Sequence, residues 1–96
     1  MAVVTGNPLG YQHLAPTAAT GLTPPAGAAF ALISISTAIV YYRDDGTAPT
    51  TSAGGGVPLP AGTLLEYMSR FDKIQFISAT GLVDVSYYGG SGAIPR

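Results

Sequence analysis

Hydrophobic and polar residues alternate through much of the second half of this chain. In residues 82–88, Val83, Val85 and Tyr87 alternate with Asp84, Ser86 and Tyr88. That period of two is the pattern of a half-buried strand. Upstream, Ala31, Ile33 and Ile35 fall on one side and Leu32, Ser34 and Ser36 on the other. Beyond Thr37 the phase changes, so that Ile39, Tyr41 and Arg43 oppose Val40 and Tyr42. The apolar run over residues 28–43 exceeds the usual strand length of about 3–10 residues. It predicts two strands, 29–35 and 38–43, joined at Ser36 and Thr37 by a tight turn or bulge. A continuous helix is disfavoured by the β-branched content and the missing charge pairs.

Three further segments read as extended. Residues 63–68 predict a strand with Leu65 and Tyr67 inward. Residues 73–78 predict another, with Ile74 and Phe76 on one face and Gln75 and Ile77 on the other. Val57-Pro58-Leu59-Pro60 suits a sheet edge, because proline removes ladder donors. Ala79-Thr80-Gly81 reads as a hairpin turn, with Gly81 supplying a permissive dihedral. Arg43-Asp44-Asp45-Gly46 reads as a turn, since Asp bonds local backbone and Gly accepts positive φ. The loop over residues 47–56 ends in Gly54-Gly55-Gly56, a place for mobility or a close backbone contact.

Residues 1–27 carry Pro8, Pro16, Pro24 and Pro25 among Gly6, Gly10, Gly21 and Gly27. Such density excludes a helix of useful length. Short extended pieces are expected at residues 2–5 and 11–14, either as an arm draped over a neighbour or as an edge strand on the same domain. The expected organisation is an extended arm over 1–27, a β-sandwich over 28–88 and a Gly-rich tail over 89–96. The fold class is all-β: a small antiparallel β-sandwich or jelly-roll-like barrel with an extended N-terminal arm.

Composition narrows the function classes. The chain has 96 residues, no Cys, 9% charged residues and a formal net charge of -1. Soluble domains usually carry about 25% charged residues. Four Lys and Arg cannot build a stripe that neutralises phosphates, so no nucleic-acid partner is expected. Disulfides and thiolate chemistry are excluded without Cys. No stretch is long and apolar enough for a spanning helix, so no membrane partner is expected. A basic n-region before an apolar h-region is missing, which reads as synthesis and folding in a cytoplasm. A chain this short buries only roughly 60–68% of its unfolded surface. With little surface charge, it is expected to be completed by other copies or other chains.

Candidate chemistry is sparse. His13, the one histidine, would need Asp44 or Asp84 and a nucleophile to make a triad, and no nucleophile elbow is present. Asp44 and Asp45, with Asp72 or Asp84, lack the spacing of a calcium loop. Glu66 with an aspartate could pair as in a glycosidase, but no loop is long enough to wall a cleft. The Gly54–Gly56 run has no following Lys and is no phosphate loop. The chain is therefore read as non-enzymatic, with no catalytic residue, no metal and no cofactor. In each of the doublets Tyr41-Tyr42 and Tyr87-Tyr88, one ring should point inward and one outward. Outward tyrosines favour interfaces. Partner contacts are expected at Tyr11, His13 and Leu14 of the arm and at Tyr42 and Tyr88.

The order of segments over residues 26–88 carries a resemblance. It runs through Val40-Tyr41-Tyr42-Arg43-Asp44-Asp45-Gly46, Val57-Pro58-Leu59-Pro60-Ala61-Gly62-Thr63-Leu64-Leu65-Glu66-Tyr67, Ile74-Gln75-Phe76-Ile77 and Val83-Asp84-Val85-Ser86-Tyr87-Tyr88. This pattern resembles small all-β structural proteins of the virions of tailed bacteriophages. The resemblance covers neither the arm nor the tail. It implies a capsid decoration (cement) protein, or an accessory protein of the head or neck. The implied partners are the major capsid protein or another virion subunit, together with copies of the chain itself as a trimer or dimer. The implied location is the capsid surface, after assembly in the host bacterial cytoplasm. The alternative is a head-fibre, neck or tail module that binds a receptor or glycan through an exposed aromatic platform such as Tyr42 or Tyr88.

Overall fold

The computed structural model describes residues 7–52 and 54–89. The extended piece expected at residues 2–5 and the tail beyond Gly89 lie outside the described residues. Eight strands follow in chain order: β1 (Asn7–Leu14), β2 (Thr20–Gly21), β3 (Ala28–Ser36), β4 (Val40–Arg43), β5 (Val57–Leu59), β6 (Leu64–Tyr67), β7 (Gln75–Ile77) and β8 (Leu82–Gly89). They form two four-stranded sheets, ordered β1-β8-β3-β6 and β2-β7-β4-β5. Every pairing is antiparallel. Only β4 and β5 are consecutive neighbours in one sheet; every other connection passes from one sheet to the other. This is the strand order of an eight-stranded jelly roll, a β-sandwich. Among the described residues no helix is long and apolar enough to cross a membrane.

The alternation read from the sequence places the core. From the first sheet come Ala31, Ile33, Ile35, Tyr67, Val83, Val85 and Tyr87, and from the second Val40, Leu59 and Phe76. Ile74, just ahead of β7, joins them. Phe71 closes one end, with its ring 6.0 Å from Tyr87 in an edge-on arrangement and 5.7 Å from Tyr67. Such geometry suits the ring quadrupoles. The phase change at Thr37 is a turn between sheets, and Thr37 sits at φ 76°. There its Cβ crowds the carbonyl, a conformation that β-branched residues rarely adopt. β5 is an edge strand of the second sheet, as Pro58 and Pro60 require.

The glycine loop makes a close backbone contact. Thr50 N–H donates to the Gly55 carbonyl (2.8 Å), and Gly55 N–H donates to the Ser52 carbonyl (2.9 Å). A Cβ on Gly55 would lie 1.9 Å from Thr50 Oγ1. Only glycine fits.

Three expectations change. Residues 79–81 do not close a hairpin, because β7 and β8 belong to different sheets. Gly81 is required for space rather than for φ. A Cβ there would meet Val40 Cγ2 at 2.6 Å and the Ala38 carbonyl at 2.7 Å. Its N–H is held by Ser78 Oγ (2.7 Å), whose hydroxyl donates to the Ile39 carbonyl (2.6 Å). Residues 7–27, expected as an arm, supply β1 to the edge of the first sheet and β2 to the edge of the second. Ser78 N–H, donating to the Pro16 carbonyl (2.8 Å), ties down the connection between them.

Candidate functional site

β1 begins with a register shift between Pro8 and Gly10, then pairs regularly with β8 through Leu14. Period two turns Gln12 and Leu14 inward and Tyr11 and His13 outward. Gln12 is held in place because its Oε1 accepts from Tyr87 Oη (2.6 Å) and from Thr23 N–H (3.1 Å). The register sets His13 directly opposite Asp84. One oxygen of the Asp84 carboxylate accepts from Tyr11 Oη (2.6 Å) and lies 2.6 Å from His13 Nδ1. The Tyr11 hydroxyl first, and His13 second, hold the Asp84 carboxyl below its usual pKa. The same hydrogen bond pushes the Tyr11 phenol up. The Tyr11 ring stays 68% exposed, so the cluster sits on the surface.

An imidazole paired with a carboxylate can hold and orient a proton. Acyl transfer also needs a nucleophile on the imidazole. Among the described residues, no Ser or Thr hydroxyl is hydrogen-bonded to His13; Ser86 Oγ bonds Tyr88 Oη instead (3.2 Å). Nor do three His, Asp or Glu side chains converge there to hold a cation.

The cluster borders the outer face of the first sheet. Alternation places Phe30, Leu32 and Ser34 of β3, Ser86 and Tyr88 of β8, and Leu64 and Glu66 of β6 on it. Phe30 and Tyr88 stack with centroids 5.0 Å apart and planes inclined by 14°. Leu64 is half exposed. Across the register, Leu32 lies between Ser86 and Glu66, and Ser34 between Asp84 and Leu64. Among the described strand residues this face has two carboxylates and no Lys or Arg.

A second polar region lies at the turn after β4. Arg43 makes a bidentate ion pair with Asp45, whose Oδ1 also accepts from Thr47 N–H (3.1 Å). These contacts, Arg43 foremost, bring the Asp45 pKa down to about 2. Asp44 accepts from Tyr67 Oη (3.1 Å) instead of sharing a site with Asp45. An open cleft of about 380 Å³ lies between this turn and Gly54, Gly56 and Val57. Its guanidinium and one of its two carboxylates already satisfy each other, so the cleft offers little uncommitted charge. Asp72 pairs with Arg70 at 2.7 Å, away from Asp84.

Of the five expected contact residues, Tyr11 and His13 come together through Asp84. Leu14 does not present itself to a partner: it is 8% exposed and packs in the core. Tyr42 also turns inward, with its ring 6.3 Å from Phe76, because it shares the parity of buried Val40. Tyr41 takes the opposite face. Tyr88 does face outward, but its ring stacks on Phe30 instead of standing free. Of the two aspartates that the sequence offered to His13, the structure supplies Asp84, and the contact of Asp84 with Tyr11 was not expected. The available signals were the shared parity of Tyr11 and His13 and the polar parity of Asp84 in a clean strand. Comparison with known protein families, with curated proteins and with solved structures gave no match for this chain.

Proposed function

We propose that this protein is a non-enzymatic structural protein of a tailed-phage virion, a decoration protein that binds and stabilises the lattice of the major capsid protein. The observation that carries the reading is the outer face of the first sheet. It is four strands wide and, among the described strand residues, free of Lys and Arg, and it presents Phe30, Leu32, Leu64 and Tyr88 beside short hydroxyl side chains. Apolar and aromatic area with few charges is the composition of an interface centre. The resemblance over residues 26–88 agrees with it. Jelly rolls also serve as viral capsid and lectin domains, which is an analogy of fold and fixes no function. Binding only the assembled shell would stabilise it by mass action, repeated over many sites.

The test is co-sedimentation of the full chain with empty shells of the phage that encodes it. Saturable binding at a fixed ratio to the capsid protein is expected. Leu32→Glu and Leu64→Glu should each weaken it at least about 10-fold, the effect of burying an unpaired charge. No binding of the wild-type chain to shells would overturn the reading. A receptor- or glycan-binding module is the second reading. Tyr11 is the observation that favours it, since its ring is 68% exposed beside Asp84 and His13. Signal on a glycan array lost in Tyr11→Ala, with no shell binding, would select it.

A further inference from the structure

Sheet edges are where β proteins meet unwanted partners, and most edges carry something that blocks pairing. The two sheets here have four edge strands: β1 and β6 in the first, β2 and β5 in the second. β2 is two residues long. β5 contains Pro58 and is followed by Pro60. β6 is four residues long with Glu66 within it. β1 differs from all three. It spans eight residues without a Lys, Arg, Asp or Glu, and its one proline, Pro8, lies beyond the register shift.

The hydrogen-bond phase shows which groups of β1 are open. Ile35 N–H donates to the Thr63 carbonyl (2.9 Å), so the odd residues of β3 face β6 and the even ones face β8. In β8 the even residues therefore face β3 and the odd ones face β1. By the register, Gly10, Gln12 and Leu14 bond inward to Tyr87, Val85 and Val83. The N–H and C=O groups of Tyr11 and His13 point away from the sheet, and among the described residues no strand lies beyond them.

We infer that β1 is a self-association edge, and that its occupant is β1 of a second copy, antiparallel about a two-fold axis passing beside Gln12. In that register Tyr11 of each copy faces His13 of the other. The two positions then exchange four backbone hydrogen bonds, and every open group of Tyr11 and His13 is satisfied. A two-fold contact needs a self-complementary patch, and this one is. No like charges oppose each other: each imidazole meets a tyrosine ring, and each is already paired with its own Asp84 at 2.6 Å. On the outer face, Tyr11 and His13 stand about 5 Å apart across such a pair. The first sheet would run through the dimer as eight strands. This inference does not depend on what the protein attaches to.

Sedimentation of the full chain tests it, together with amide exchange. The expected mass is twice the 9.7 kDa of the chain. In the dimer the amides of Tyr11 and His13 should be as protected as that of Gln12. The variant His13→Pro removes an outward donor, a loss that an edge strand tolerates, together with the imidazole that meets Asp84. It should remain folded by circular dichroism and dimerise about 100-fold more weakly, with two of the four bonds gone. Three results would overturn the inference: a wild-type monomer at millimolar concentration with fast-exchanging Tyr11 and His13 amides, an unchanged dimer in a folded His13→Pro variant, or an oligomer whose newly protected amides are those of Leu64 and Glu66. If His13→Pro does not fold, the exchange of the wild-type amides decides alone.

Discussion

In the first sheet β1, β8 and β3 run for eight, eight and nine residues, whereas β2, β7, β4 and β5 of the second run for two, three, four and three. Both sheets bury one face in the same core, but they are held in different ways. The first has long ladders, with register shifts only near their ends, so loss of one side chain leaves many backbone bonds in place. The second has short ladders separated by turns. It depends on Phe76 and Val40, which are fully buried, and on single side-chain bonds such as those of Ser78. The lesson is that one sandwich can combine a sheet carried by backbone pairing with a sheet carried by packing.

Substitutions in the second sheet should break that comparison hardest. Phe76→Ala removes its largest core ring and should cost about 3–5 kcal/mol in urea denaturation. A loss below about 1 kcal/mol would mean that packing is not what holds this sheet. Gly81→Ala drives a Cβ onto Val40 and the Ala38 carbonyl and should cost about 1–3 kcal/mol by overpacking. Ser78→Ala strands the Gly81 N–H and the Ile39 carbonyl and should cost about 1–2 kcal/mol. Thr37→Gly works in the opposite direction. It relieves the φ of 76° where β3 hands over to β4 and should raise stability by up to about 1 kcal/mol.

The smallest effect sharpens the first sheet. The Asp84 pKa is lowered in the folded state by Tyr11 and then His13. Its contribution is therefore present above the ordinary carboxylate range and fades as the pH falls through the folded value. The urea midpoint of the wild type should drop on acidification by more than that of Asp84→Asn. Equal acid dependence in the two proteins would show that the cluster does not help to hold β1. In absorbance titration, Tyr11 should ionise at lower pH in Asp84→Asn, because the hydrogen bond that raises its pKa is gone.

Much of the sandwich was legible because period-two alternation is local. Val83, Val85 and Tyr87, and likewise Ile74 and Phe76, are buried as their parity requires. The break at Thr37 was legible too, because a phase change cannot continue one strand. What could not be read was set by distant pairing. The Pro and Gly residues around β1 and β2 hid their roles, since neither strand shows its partner until the register with β8 or β7 exists. The turn at residues 79–81 carries hairpin chemistry, yet its residues do not say which sheet receives the next strand. Tyr42, expected as a partner contact, follows Val40 inward, as their shared parity requires. The site joins residues 71 and 73 positions apart, and no spacing rule connects them.

The position of β8 has a consequence for how the molecule comes into being. The last of the eight strands in chain order lies between β1 and β3. A nascent chain that has not yet delivered residue 82 leaves those two strands without the neighbour that joins them. The first sheet can therefore close only late, across the widest loop separation in the molecule. Topologies dominated by such remote pairings fold slowly. A ribosome-stalled chain ending before β8 should be open to protease along β1, and one extended past Tyr88 should resist cleavage there.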